Sequence, residues 1–392
     1  MKRIAFVATG YIQKYDGISV YAENFLQELI RSDAVRQDNL SVDIFTGVSV
    51  IDLLSQRIGY NEALSDNIHF IAVDDRGFIK KTLDMIYKIR QHGRYDLVLM
   101  PNFIPSIFLG SPTLKVIHDF SVNHFPELYP KFYRFYHDML LWYGKSFDTA
   151  IGFSSLTTKK DLDRFHGVND RNKQLVHLPC GIPFKVKNYL RPDKQSNDEK
   201  YHSKHLEILV VGRINRHKGF DRILAFCQYY DQILNEHPFF ENFTLHIVGK
   251  QTEETESMLR GLHLKHIELN FHGFMDDAGL NELYQKSQFC FFLSRNEGYG
   301  LPLMEAMWFR CIPIISNIPI FTEITGKSYP KFDDESGYTK AIATFIDEIC
   351  QDDLSRQNIW EQIERIVSLE SNGYKTTVKN LIDFIDTLPS ES

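Results

Sequence analysis

Phe289-Cys290-Phe291-Phe292-Leu293-Ser294-Arg295-Asn296-Glu297-Gly298-Tyr299-Gly300-Leu301-Pro302-Leu303-Met304-Glu305-Ala306-Met307 decides how this chain is read. An unbroken apolar run (Phe289–Leu293) reads as a buried strand. A short glycine-containing turn follows, and Pro302 suits the first turn of a helix, where a missing N–H costs nothing. Gly298 and Gly300 allow the backbone to come close to a ligand, and a helix N-terminus offers unpaired N–H groups to an anion. Two carboxylates flank the turn. Glu297 lies in the loop; Glu305 lies on the helix, where a carboxylate can accept two hydrogen bonds from a vicinal diol such as a ribose. Either glutamate alone reads more readily as a cap or a solvated helix residue, and only the combined pattern points to a site.

The same alternation of short apolar runs and helix-period stretches extends outward in both directions. Strands are expected at Ile4–Thr9, Val42–Phe45, Ile68–Val73, Asp96–Met100, Leu114–Ile117, Thr149–Phe153 and Gln174–Leu178, with helices such as Val20–Arg31 and Ile79–Gln91 between them. A second series follows at Ile208–Val211, Leu245–Val248, Ile267–Phe271, Phe289–Leu293 and Ile312–Ile315. Apolar strands alternating with helices predict parallel, helix-covered sheets. Between the two series the chain turns polar, which reads as a linker over 186–204. The expected organisation is a first Rossmann-like domain over 1–185, a second over 205–373, and a final helical segment over 374–392. Ligands of such sheets bind beyond the carboxyl ends of the strands, so loops that follow strands are the candidate sites.

Composition narrows the classes. The 392 residues suffice for two domains and include 43% hydrophobic and 24% charged residues, an ordinary globular mixture rich in Phe (30) and Tyr (19). Through Pro183 the chain carries 21 basic against 20 acidic side chains, and thereafter 23 against 31, for a net charge of −7. A net-acidic chain without a basic block is a poor nucleic-acid binder. The five cysteines form no CxxC pair and no zinc spacing, and read as buried thiols of a reducing compartment. The apolar start Ile4–Ala8 is too short for a signal peptide, and no run of about 18 apolar residues exists. The expectation is a cytoplasmic protein.

Two further loops carry charge. Val210-Val211-Gly212-Arg213-Ile214-Asn215-Arg216-His217-Lys218-Gly219 ends a strand and places two cations, Arg213 and Lys218, in the loop that follows, a planar fork and a point charge of the kind that suits phosphate. In the first half, Val116-Ile117-His118-Asp119-Phe120 ends a strand with a histidine, Asp119 orienting its loop. Thr9-Gly10-Tyr11 and Asp16-Gly17-Ile18-Ser19 form a glycine-containing turn before a helix, with Gly17 near a phosphate and Ser19 helping the helix to start. The turn is not GxGxxG, so a nicotinamide site is unsupported.

Taken together these residues resemble the retaining glycosyltransferases of family 4, with the EX7E pattern at Glu297 and Glu305 and the strand–Gly-Arg–loop–Lys-Gly element at Gly212–Gly219. The resemblance runs over nearly the whole chain and includes Leu245–Gly249, Phe271–Met275, His118-Asp119 and Pro126-Glu127-Leu128. It implies an α/β GT-B fold, two Rossmann-like domains with parallel sheets facing across a cleft. The final helix would pack back on the first domain. It further implies metal-independent transfer of a sugar from a nucleoside diphosphate donor, with no cofactor, to a glycan or lipid-linked oligosaccharide in surface polysaccharide or lipopolysaccharide synthesis. A GDP-mannose donor is preferred over UDP- or dTDP-sugars. By the same resemblance Glu297, His118, Arg213 and Lys218 are catalytic. Glu305, Gly17, Gly249, Gly298, Tyr299, Gly300 and Leu301 would bind donor, with Phe274 and Met275 either covering the base or packing in the core. The chain departs from the pattern at Asp16-Gly17, at Lys250-Gln251 and at Arg310, where the family favours glycine or a small residue. A non-catalytic sugar-nucleotide binder and a GT-B epimerase or phosphorylase are the rival readings.

Three features stand outside this pattern. Asp161-Leu162-Asp163 imitates a metal-binding DxD but reads as a solvated helix face. The aromatic run Phe132–Tyr143 reads as a buried helix or acceptor-pocket wall, with peripheral contact to the inner membrane as the alternative. Ile79–Arg94 is modestly basic and reads as a solvated face, with anionic lipid as its alternative.

Overall fold

The computed structural model describes all residues except 11–15, 61–65, 103, 106–108, 194–197, 334–335 and 390–392. The chain divides into two compact units, Met1–Gly181 with Asn372–Ser392, and Ile182–Ser371.

The first unit is built on a seven-stranded parallel sheet in the order β3-β2-β1-β4-β5-β6-β7. Its strands are β1 Lys2–Val7, β2 Leu40–Gly47, β3 Ile68–Val73, β4 Leu97–Met100, β5 Thr113–Ile117, β6 Ala150–Phe153 and β7 Gln174–His177. Ile4 pairs with Val42 on one side and Leu97 on the other, so β1 lies centrally and its residues 4–7 are buried. That burial explains the continuous apolar run: a strand covered by helices on both faces has no solvent side to alternate toward. The helix Gly17–Ile30 begins at Asp16, whose side chain accepts from the Ser19 N–H at 2.7 Å. Asp16, rather than Ser19, is therefore the cap: its backbone is extended and it stands one position before the helix, where its carboxylate reaches the third N–H.

The helix Gly373–Thr387 belongs to this first unit. Asn380 donates to the His177 carbonyl at 2.8 Å, and Lys2 pairs with Asp386 at 2.9 Å. An atom added at the Cβ position of Gly373 would lie 1.8 Å from the Cys180 carbonyl oxygen, so the helix start touches backbone.

The second unit carries a six-stranded parallel sheet in the order β10-β9-β8-β11-β12-β13. Its strands are β8 His205–Val211, β9 Asn242–Val248, β10 Ile267–Gly273, β11 Phe289–Phe292, β12 Ile312–Ser316 and β13 Lys331–Phe332. Two-residue β13 shows no periodicity from which it could be read. The strand order reverses between β8 and β11, which pair at Ile208–Phe289 and Leu209–Cys290. Such a reversal opens a crevice at the strands' carboxyl ends. All five cysteines are buried and free.

Residues 186–204, polar enough to suggest a linker, are part of the second unit. Tyr201 is fully buried there, its hydroxyl 2.9 Å from the carbonyl oxygens of Gln288 and Arg310. Arg191 on the Trp308 carbonyl at 3.1 Å and Lys200 on the Ser287 carbonyl at 2.7 Å tie down the same segment, whose composition gives no periodic signal.

The aromatic run also departs from expectation. The helix Lys131–Phe147 buries only His137, Leu140, Leu141 and Gly144, while Phe132, Phe135 and Trp142 stand exposed. An apolar run reads as core when its two faces cannot be told apart in sequence. Asp161, expected on a solvated face, instead meets His124 at 2.7 Å. The helix Leu156–His166 that carries it is capped by Ser155.

Candidate functional site

In the second unit the two loops singled out by sequence follow the two strands that flank the switch point. The β8 loop runs to Gly219, which precedes the helix Phe220–Leu234 in the left-handed region at φ +74°. A Cβ at Gly219 would lie 1.9 Å from the Leu293 carbonyl oxygen at the end of β11. Only glycine fits this approach, and it brings the β8 and β11 loops into contact. The Arg295 N–H donates to the His217 carbonyl at 2.9 Å, and the Arg295 guanidinium forks onto Asp221 with two contacts of 2.8 Å. Burial alone would raise the Asp221 carboxyl, but the Arg295 fork outweighs it and holds it below the ordinary range.

These loops meet at Lys218 and Glu297. The Lys218 ammonium lies 2.6 Å from Glu297 Oε2, and Ser294 donates to Glu297 Oε1 at 2.8 Å. The Lys218 N–H is held by Asn215 Oδ1 at 2.9 Å. An ammonium has three donors, so Lys218 retains two after its bond to Glu297. Arg213, from the same loop, is exposed and makes no hydrogen bond or ion pair among the described residues. The loop after β8 thus carries two cations of unlike kind, Lys218 tied to a carboxylate and Arg213 exposed.

Gly300 caps the helix Leu301–Trp308, with Pro302 in its first turn. Glu305 on that helix is buried. Its Oε1 lies 3.0 Å from the Lys185 ammonium and its Oε2 accepts from the Tyr284 hydroxyl at 3.2 Å. Lys185 also contacts Asp277 at 3.1 Å. Burial works to lower the Lys185 pKa, yet Glu305 and Asp277 together hold it above the ordinary lysine value. Burial, with the Glu305 charge second, pushes the Tyr284 hydroxyl well up. Lys185 and Tyr284 escaped the sequence reading: neither belongs to a motif, and Lys185 sits in a short polar stretch with no period. Ser294 stood in plain view three residues before Glu297.

The remaining donor-loop residues divide. Tyr299 places its hydroxyl on Glu370 and its ring against the core, so its side chain is committed inward. Gly298 and Leu301 contribute backbone at the turn. Gly249, at φ +151°, would place a Cβ 1.8 Å from the Gly212 carbonyl oxygen, and its N–H donates to Gly273 at 2.8 Å. It packs the β8 and β9 ends together. Met275 packs on the core, whereas Phe274 is exposed.

In the first unit His118 follows β5. Its Nε2 lies 2.7 Å from the Pro101 carbonyl, so Nε2 carries the hydrogen and Nδ1 is left as the acceptor. Tyr21 packs edge-on at 4.6 Å, and burial pulls the imidazole pKa below its ordinary value. Asp119 accepts from the Ser121 N–H at 2.9 Å and so shapes the loop. Gly17 is the exposed first residue of its helix, next to residues 11–15 of the same turn, which lie outside the described residues.

The family model for glycosyl transferases group 1 matches residues 193–365. The chain carries a group 1 glycosyltransferase domain. Every strand of the second sheet and both charged loops fall inside this domain; Lys185 lies just before it. The chain is similar to the serotype-specific mannosyltransferase WbdA of Escherichia coli, 33% identical over 144 residues that make up 35% of this chain and 17% of the relative. It is 34% identical over 127 residues to the GDP-mannose:cellobiosyl-diphosphopolyprenol alpha-mannosyltransferase of Xanthomonas oryzae, 31% of each protein. The matches thus span less than a third of either relative's length. Among solved structures, Anabaena Alr3699/HepE in complex with UDP and glucose superposes with a TM-score of 0.69 over 99% of this chain and all of that one, at 15% identity. The fold is that of the GT-B glycosyltransferases, two Rossmann-like units each with a parallel sheet.

Proposed function

We propose that the chain is a metal-independent retaining glycosyltransferase. It would move a hexosyl group from a nucleoside diphosphate sugar to a hydroxyl of a glycan or lipid-linked oligosaccharide in surface polysaccharide synthesis. The observation that carries the reading is the Lys218–Glu297 pair at 2.6 Å, with Ser294 behind the glutamate, at the switch point of the group 1 domain. A diphosphate leaving group develops negative charge as the sugar bond breaks, and preorganised cations stabilise it most in that state. Lys218, with two donors left, and Arg213, with a planar fork, suit two phosphate groups. Glu297 is aligned by Lys218 and Ser294 as an acceptor for sugar hydroxyls. In the reaction the bond from the anomeric carbon to the phosphate oxygen breaks, the acceptor oxygen bonds to that carbon on the same face, and the phosphate takes the acceptor proton.

GDP-mannose is the preferred donor, supported by the name of the Xanthomonas relative and by the mannosyl transfer named for WbdA. Incubation with GDP-mannose, UDP-glucose or a dTDP-sugar and a lipid-linked oligosaccharide tests the reading. Free nucleoside diphosphate with a glycosylated acceptor of unchanged anomeric configuration is expected, with full activity in chelator. An isomerised donor would instead indicate an epimerase, a sugar phosphate a phosphorylase, and binding without turnover a non-catalytic protein. Lys218→Ala and Glu297→Ala, at unchanged melting temperature, are each expected to lower turnover at least about a hundredfold, and His118→Ala to lower it as well.

A further inference from the structure

One carboxylate of the second unit is gripped by groups that the diphosphate chemistry leaves unused. Lys185, on the short helix Phe184–Lys187, reaches Glu305 Oε1 at 3.0 Å and Asp277 Oδ1 at 3.1 Å. The Tyr284 hydroxyl lies 3.2 Å from Glu305 Oε2 and 3.3 Å from the Pro302 carbonyl oxygen. Asp277 and Tyr284 stand on the helix Asp277–Lys286, which follows β10, and Glu305 on the helix Leu301–Trp308, which follows β11. Three separate segments therefore meet at Glu305. One of them, with Lys185, lies outside the stretch 193–365 that matches the group 1 family.

Charge and bonding capacity identify what this cluster takes. One ammonium stands between two carboxylates, so the cluster is net negative and repels an anion. A carboxylate has about four lone-pair sites. Lys185 occupies one on Oε1 and Tyr284 one on Oε2, and no other partner reaches the Glu305 carboxylate among the described residues. Each oxygen therefore keeps a site for an O–H donor, and the two sites lie side by side. The ammonium and the phenol also fix the plane of the carboxylate, since turning it would break both contacts. Burial works to strip Lys185 of its proton, but Glu305 and Asp277 keep it charged. The Glu305 side chain is 6% exposed, so bulk water cannot replace a donor that a ligand lacks. Taking the second unit as the donor domain of the function proposed above, we propose that Lys185, with Tyr284, is a positioning residue. It fixes Glu305 as a two-point acceptor for a vicinal diol and so restricts the donor to ribonucleoside diphosphate sugars. A 2′-deoxyribose offers one hydroxyl where the diol offers two, which excludes dTDP-sugars.

Isothermal titration of the full chain with GDP and 2′-deoxy-GDP, and with UDP and 2′-deoxy-UDP, reads the restriction without turnover. In whichever pair binds, the ribonucleotide is expected to bind at least about tenfold tighter, the effect of one hydrogen bond to a charged acceptor. Lys185→Met should bring that ratio to within about threefold of unity and leave the affinity for the deoxynucleotide nearly unchanged. Tyr284→Phe, which keeps the cation, should lower the ratio by a smaller factor, and Lys185→Arg should retain most of it. In Lys185→Met/Glu305→Gln the ratio should equal that of Glu305→Gln alone, because Lys185 acts through the carboxylate. A wild-type ratio near one would overturn the proposal and leave the donor reading standing. So would a Lys185→Met protein that weakens both nucleotides alike and keeps the ratio, since that is the mark of packing alone. Binding of none of the four nucleotides would bring down the donor reading, and this restriction with it.

Discussion

Gly219 and Lys185 show how much a single position can carry. A methyl group at Gly219 meets a backbone carbonyl and demands a left-handed residue at once. Gly219→Ala is therefore expected to cost about 2–4 kcal/mol in urea denaturation, and to lower donor turnover by moving Lys218. Lys185 is a different case. Glu305 is buried, and Lys185→Met leaves its carboxylate without a cation. A loss of about 3–5 kcal/mol is expected. Much of it should return in Lys185→Met/Glu305→Gln, whose remaining groups are neutral. Equal loss in single and double variants would show that Lys185 acts by packing alone. Neither effect could be argued from sequence, because the partner in each case lies more than 70 positions away.

At the scale of elements, a helix cap and three imidazoles held low by burial bear on the stability of the first unit. Asp16→Ala removes the cap of Gly17–Ile30 and should lower stability by about 1 kcal/mol. Within the same unit His118, His137 and His166 are each pulled below the ordinary imidazole pKa, by burial first. An imidazole that resists its proton when folded gives stability that is present at neutral pH. That stability is lost as pH falls through the unfolded value of about 6.5, where the unfolded chain binds more protons. Thermal melts at falling pH should show the first unit weakening below that point, and His137→Phe or His118→Asn should flatten the slope. The same elements show where sequence periodicity misleads. The helices Phe78–Gln91 and Lys131–Phe147 have apolar residues on both faces, and only packing reveals which face is inside.

For the whole molecule, the decisive experiment is nucleotide-linked stability. A nucleoside diphosphate at about 100 times its Kd adds roughly 2.7 kcal/mol to the state that binds it. GDP is expected to raise the melting temperature by a few degrees, and UDP, dTDP, CMP, ADP and NAD by less. A shift with UDP alone would move the donor assignment to a UDP-sugar. No shift with any of them would favour a protein without a donor site.

Local chemistry by itself determined much of this protein. Apolar strands alternating with helix-period segments mark parallel sheets, because a strand covered on both faces must be apolar throughout, and twelve of the thirteen strands among the described residues coincide with an apolar run read from sequence. The turn from Ser294 to Leu301 and the Gly212–Gly219 loop were legible because glycines and charged residues at strand ends have few other uses. The tertiary structure alone decided what depends on residues distant in the chain. It placed Lys185 against Glu305, Tyr201 inside a segment that looked like a linker, Tyr299 on Glu370, and a two-residue strand at the sheet edge. It also turned the aromatic face of Lys131–Phe147 outward. Hydrophobicity is a property of side chains, but burial is a property of what packs against them, and only the folded chain supplies that second partner.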